Sequence, residues 1–304
     1  MKPVRMQLLL IGTMAIWGVN ITAIKVLTDY MDPLLIACIR MVMAAFVINM
    51  TQVWARRPFP LLRISGGQWA RLTLCALFMV YGNQILFTTG MQTASATNSS
   101  LIMALSPLVA SVLAAVVFRE SLTGLRLLGI ILGFGGVFAV IFSDPDAQLT
   151  GPGWGDIQVL GAMLSFVAGG ALLQALARQF SALAITCIIY TIGAGLLSLH
   201  AMLSTTVVVN SEVLLAPGFW PWVLMIFSGV VATALCNMLW NRAIAELGVA
   251  RTSLYQYWIP VFGVGFALLL LGEAFTIWHG VGLVGILVGT YLGTRRPLAM
   301  KTKQ

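Results

Sequence analysis

Apolar residues run along this chain in stretches of about twenty, divided by short polar intervals, from one end to the other. A helix of roughly 20 apolar residues crosses about 30 Å of hydrocarbon. Ten such stretches are read: 7–27, 33–53, 70–90, 95–118, 125–143, 155–177, 182–203, 219–242, 249–271 and 276–294. They are too long and too uniformly apolar for barrel strands, whose residues alternate, so an all-α integral membrane protein is predicted. The opening "MKPVRMQLLLIGTMAIWG" has the charged-then-apolar form of a secretory signal. Its apolar run continues to Val26, however, and it reads as a retained first helix, with a cleaved signal as the alternative. The longest polar intervals are about fifteen residues, so no soluble domain is expected.

One phrase occurs twice. "SPLVASVLAAVVFRE" (Ser106 to Glu120) and "IPVFGVGFALLLLGE" (Ile259 to Glu273) place a proline and a glutamate at the same spacing, 153 positions apart. The same shift pairs Ser100 with Ser253, Thr123 with Thr276, Gly129 with Gly282 and Gly136 with Gly289. Nearer the start of each half, a shift of 149 pairs Gly12 with Gly161, Met14 with Met163 and Cys38 with Cys187. The chain therefore divides into two five-helix halves, 1–146 and 147–304. Five is odd, so the second half is expected to enter the membrane from the opposite side. Two similar halves in opposite orientations can exchange conformations and expose a central site to each face in turn.

Composition agrees. The 304 residues are 60% hydrophobic and 9% charged, against roughly 25% charged in soluble domains. The formal charge of +8 would suit a nucleic-acid partner, but its distribution does not. Fifteen of the 17 Lys and Arg fall on one side of a ten-span topology, with Lys25 alone on the other and Arg40 inside a span. This positive-inside bias places both termini in the cytoplasm of an inner-membrane protein and leaves no basic patch for nucleic acid. Cys38, Cys75, Cys187 and Cys236 lie within apolar spans without a CxxC, so neither a disulfide framework nor a metal site is expected. No cofactor is expected either.

The residues also resemble a known family. "AIWGVNITAIK", "IRMVMAA", "SPLVASVLAAVVFRESLT" and "GIILGFGGV" are similar to the first half of an EamA-type transporter of the drug/metabolite superfamily. "SLYQYWIPVFGVGFALLLLGEAFT" and "GVGLVGILVG" are similar to its second half. The resemblance covers nearly the whole chain. It implies a central cavity among helices 1–4 and 6–9, with helices 5 and 10 outside, and transport of small metabolites, most often export of amino acids or related compounds. "AMLSFVAGGALLQALA" departs from the family's usual Trp-containing start of helix 6 and sets Phe166 opposite Trp17.

Polar groups inside a span are functional candidates because hydrocarbon offers them no partners. The candidate substrate-binding set is Trp17 and Asn20 in helix 1, Arg40 in helix 2, Tyr81 and Gln84 in helix 3, and Ser99 and Met103 in helix 4. The second half adds Asn237 and Trp240 in helix 8, and Gln256 and Tyr257 in helix 9. Gln84 and Asn237 are repeat mates, so two amides are expected to face each other near mid-membrane. Rings with amides suit an amphipathic solute. The alternative is that these groups merely join helices, at roughly 0.6 kcal/mol each. Arg40 would attract a carboxylate bidentately, or satisfy backbone carbonyls, or reach the interface. The family resemblance, which carries an Arg here for many substrates, favours a structural role.

Pro107 and Pro260 lack an N–H and should kink helices 4 and 9, either as gating points or as static bends. Glycine stripes in helices 5 and 10 permit close helix approach, within the chain or in a homodimer. The expected partners are a small-molecule substrate and the lipid bilayer. An importer or facilitator is the alternative to an exporter. A membrane enzyme is disfavoured, since only His200 and His279 are available and no carboxylate lies mid-span.

Overall fold

The computed structural model describes residues 3–55, 64–117, 124–141, 152–205, 207 and 218–294. The apolar stretches form α1 (Pro3–Leu27), α2 (Pro33–Trp54), α3 (Gly66–Gly90), α4 (Ala96–Met103 continued by Ser106–Val117) and α5 (Gly124–Ile141). The second half forms α6 (Pro152–Leu176), α7 (Ala182–Leu203), α8 (Phe219–Leu247), α9 (Val249–Leu271) and α10 (Ile277–Thr294). No strand occurs among the described residues. Eight of these helices are long and apolar enough to cross a membrane, while α5 and α10 carry shorter apolar stretches, Leu127–Gly136 and Ile277–Leu292. The junction expected at 146–147 and the positions of Arg57 and Glu120 lie outside the described residues.

Helix starts follow local chemistry. The Asp32 carboxylate accepts from Leu34 N ahead of Pro33, which has no N–H to leave unsatisfied. Ser65 and Gln68 form a reciprocal capping box at α3. Ser95 and Ser181 cap α4 and α7 through the N–H three residues on. Large apolar side chains such as Phe46, Trp54, Met202, Phe219 and Leu269 are exposed around the bundle, where lipid would cover them.

The two halves interlock, and the main contacts between helices 1–4 and 6–9 have counterparts. α1 packs on α9 as α6 packs on α4, and α2 packs on α8 as α7 packs on α3, while α5 and α10 lie side by side. Glu273, just past α9, meets the start of α4, so these repeat mates run antiparallel. The glycine stripes face each other within the chain. A Cβ on Gly136 would sit 2.6 Å from Gly282 O, and one on Gly285 would sit 3.1 Å from Gly136 Cα. Only hydrogen side chains allow that approach.

Irregularities recur in the same places. α3 contains a π-helical stretch, Leu77–Gly82, and α8 contains another, Phe227–Leu235. α4 breaks at Ala104 and Leu105, ahead of Pro107, and α9 tightens to a 3-10 turn at Leu254–Tyr257, ahead of Pro260. A shift of 153 makes each pair overlap, carrying 77–82 onto 230–235 and 104–105 onto 257–258. Pro107 cannot donate to Met103 O, and the Ser106 hydroxyl does so instead at 2.7 Å.

Candidate functional site

A cavity of about 90 Å³ lies between the halves. Its walls come from α1 (Trp17, Asn20, Ile21, Ile24), α2 (Arg40), α3 (Asn83, Gln84, Phe87), α4 (Met103), α6 (Phe166), α8 (Ala232, Thr233, Asn237) and α9 (Gln256, Ile259). Both halves contribute.

The polar side chains are ordered by hydrogen bonds that cross from one half to the other. Arg40 is 2% exposed; its Nη1 donates to Gln84 Oε1 at 2.9 Å and its Nη2 to Thr233 Oγ1 at 3.1 Å. Gln84 Nε2 donates to Asn83 Oδ1, and Asn83 Nδ2 to Ala162 O. On the other flank the Thr233 hydroxyl donates to Ser228 O, and Asn237 Nδ2 to Thr233 O. The chain of bonds therefore ties α6, α3, α2 and α8 together. Arg40 satisfies side-chain acceptors here, neither backbone carbonyls nor the interface. Its Nε is buried with no partner among the described residues, as is Gln256 Oε1. Asn20 Oδ1 accepts from Ser228 Oγ at 2.5 Å.

The aromatic wall is a cluster of three rings. Trp17 meets Phe166 edge-on at 5.9 Å between centroids, and both lie against Trp240, at 5.1 Å and 6.0 Å. Trp17 Nε1 donates to Ala232 O, which fixes the indole across the boundary between the halves. Trp17 and Phe166 are mates under the 149-residue shift, so the departure noted in helix 6 exchanges one ring for another at the cavity wall.

Of the residues expected from sequence, Trp17, Asn20, Arg40, Gln84, Met103, Asn237 and Gln256 line the cavity. Tyr81, Ser99, Trp240 and Tyr257 do not. Trp240 is buried behind Trp17 and Phe166. Ser99 is fully buried and donates to Met91 Sδ. Tyr81 pairs with His200 Nδ1 on α7 at 3.0 Å. The physical reason is the π stretch, which contains Tyr81 and turns it off the face expected for a regular helix. Asn83, Thr233 and Phe166 complete the wall without having been among the expected binding residues. The adjacent amides in "GNQI" were the signal for Asn83.

Away from the cavity, one end of the bundle is closed by a separate polar cluster. The Glu273 carboxylate accepts from Ala96 N and Thr97 N, both at 2.8 Å, at the start of α4. Asn98 bridges Asp156 and His279, and Lys25 Nζ donates to Met91 O and Gln92 O. At the opposite end Gln174 Oε1 accepts from Val249 N, and Gln68 bonds Gln179.

Comparison with known proteins agrees with this architecture. The model of the EamA-like transporter family matches twice, over residues 4–142 and 153–295. The uncharacterized transporter YyaM of Bacillus subtilis is 24% identical over 95% of this chain and 93% of its own length. The uncharacterized transporter sll0355 of Synechocystis is also 24% identical, over 96% of this chain and 91% of its own. One solved crystal structure superposes with a TM-score of 0.63 over 95% of each chain at 13% identity, a likeness of fold.

Proposed function

The chain belongs to the EamA-like transporter family, and from that premise we propose that it is an inner-membrane exporter of amino acids or related small metabolites, working by alternating access. The observation that carries this reading is the cavity itself. It sits where the two repeats meet, receives residues from seven helices, and combines rings, amides and one guanidinium. Such a site rearranges whenever the halves move against each other, as substrate sites of repeat-built transporters do.

The antiparallel course of α4 and α9 supports an inverted arrangement of ten spans. The charge bias supports cytoplasmic termini. In this state the Glu273 end is the outer one, and it is held shut by hydrogen bonds.

Two measurements test the proposal. Single cysteines at Gln92 and Arg178, in a background lacking the four native ones, report orientation in intact cells. An impermeant thiol reagent is expected to label Gln92→Cys and spare Arg178→Cys, and the reverse result overturns the topology. Proteoliposomes loaded in turn with amino acids, N-acylated amino acids and 2-hydroxy acids are then expected to exchange at least one of these classes for labelled solute. Absence of exchange across the panel by folded, inserted protein overturns the transport reading.

A further inference from the structure

The cavity carries an unbalanced charge. Among the described residues that line it, Arg40 is the only Lys, Arg, His, Asp or Glu. Both hydrogen-bond acceptors of its guanidinium, Gln84 Oε1 and Thr233 Oγ1, are neutral. The ion pair Arg242–Glu246 is exposed on α8, and neither of its residues lines the cavity. A buried cation held only by dipoles is costly unless an anion joins it.

The rest of the wall fits an anion with an uncharged body. Ile21, Ile24, Phe87, Met103 and Ile259 are apolar. Gln256 Oε1 is buried with no donor of its own, an acceptor that its side chain can turn toward a bound solute. That acceptor suits an amide N–H or a hydroxyl. It supplies no counter-charge for an ammonium group. A monoanion brings the occupied cavity to zero net charge, a zwitterion leaves it at +1, and a cation takes it to +2.

We propose that the transported solute is a small organic monoanion, a carboxylate whose nitrogen or oxygen substituent is uncharged, with its carboxylate on Arg40 and its neutral donor toward Gln256. N-acylated amino acids and 2-hydroxy acids are of this class. The inference rests on the transport reading above and narrows it from amino acids at large to their uncharged-nitrogen relatives. The unpaired Nε is the donor that a bidentate, side-on carboxylate uses once the guanidinium turns toward it. Arg40 thus ties α2 to α3 and α8 and also supplies the site's charge.

The test is ligand-induced thermal stabilisation of the purified full chain with four probes that share one hydrocarbon body. They are N-acetylleucine (anion), leucine (zwitterion), leucine amide (cation) and N-acetylleucine amide (neutral), all at neutral pH. N-acetylleucine is expected to bind at least about tenfold more tightly than any of the others, as read from the concentration dependence of Tm. Arg40→Gln is expected to abolish that preference. Arg40→Lys, which keeps a point charge but loses the fork, is expected to retain it at lower affinity. Equal or greater stabilisation by leucine or leucine amide overturns the inference and leaves transport standing. An undiminished preference in folded Arg40→Gln also overturns it. Stabilisation by none of the four, joined to an absence of exchange in proteoliposomes, removes the transport reading along with it.

Discussion

At the scale of single residues, the geometry of Arg40 and Gln84 makes a sharp prediction. The Gln84 amide oxygen already accepts from Arg40 Nη1 at 2.9 Å. Gln84→Glu changes almost no volume and places a carboxylate at that oxygen, a resident anion where a substrate anion is proposed to dock. The variant is expected to melt at a higher temperature than the parent and to lose its response to N-acetylleucine. A parent-like response in this variant separates Arg40 from anion recognition. The sequence alone reached both residues, because an Arg or Gln inside an apolar span has few acceptable environments. It could not reach their mutual bond. Arg40 and Gln84 lie 44 positions apart, and only the packing of α2 against α3 brings them together.

At the scale of elements, the spans were legible because hydrocarbon imposes a length on them, and the breaks in α4 and α9 because proline announces itself. The π stretches were not legible. Nothing in "LFMVYG" distinguishes it from regular helix, yet lengthening the turns there rotates the following face by roughly one residue, about 100° at 3.6 residues per turn. Tyr81 leaves the cavity side for this reason, and Asn83 joins Gln84 on it. The repeat carries the irregularity to α8, where Thr233 lies inside the matching π stretch and meets Arg40. The break before Pro107 yields a second expectation. Pro107→Ala restores a donor for Met103 O and removes the steric reason for the break. The variant is expected to be at least as stable as the parent but slower in exchange, if the break lets α4 move. Unchanged exchange assigns the break to static bundle shape.

At the scale of the whole molecule, α5 and α10 spend their glycine faces on each other, while the remaining helices are paired across the halves by the same contacts made twice. Such a molecule is expected to hold two states related by exchanging the roles of its halves. In the present one, the Glu273 carboxylate holds the first two N–H groups of α4. Its repeat mate Glu120 lies outside the described residues. The mates of Ala96 and Thr97 are Val249 and Ala250 at the start of α9, and here Val249 N is occupied by Gln174 instead. Glu273 and Glu120 are therefore expected to act as reciprocal latches, each closing one end when the other releases. Glu273→Gln weakens the latch at its own end, the outer one in the proposed topology, by removing the charge from two charge-assisted hydrogen bonds. Ile24 lines the cavity and is 1% exposed, so a cysteine there, in a background without native cysteines, reports opening of the Glu273 end. Labelling of Ile24→Cys by an impermeant reagent in intact cells is expected to be slow in the parent, faster with Glu273→Gln and slower again with Glu120→Gln. Equal rates in all three remove the latch from Glu273, and acceleration by Glu120→Gln reverses the assignment of ends.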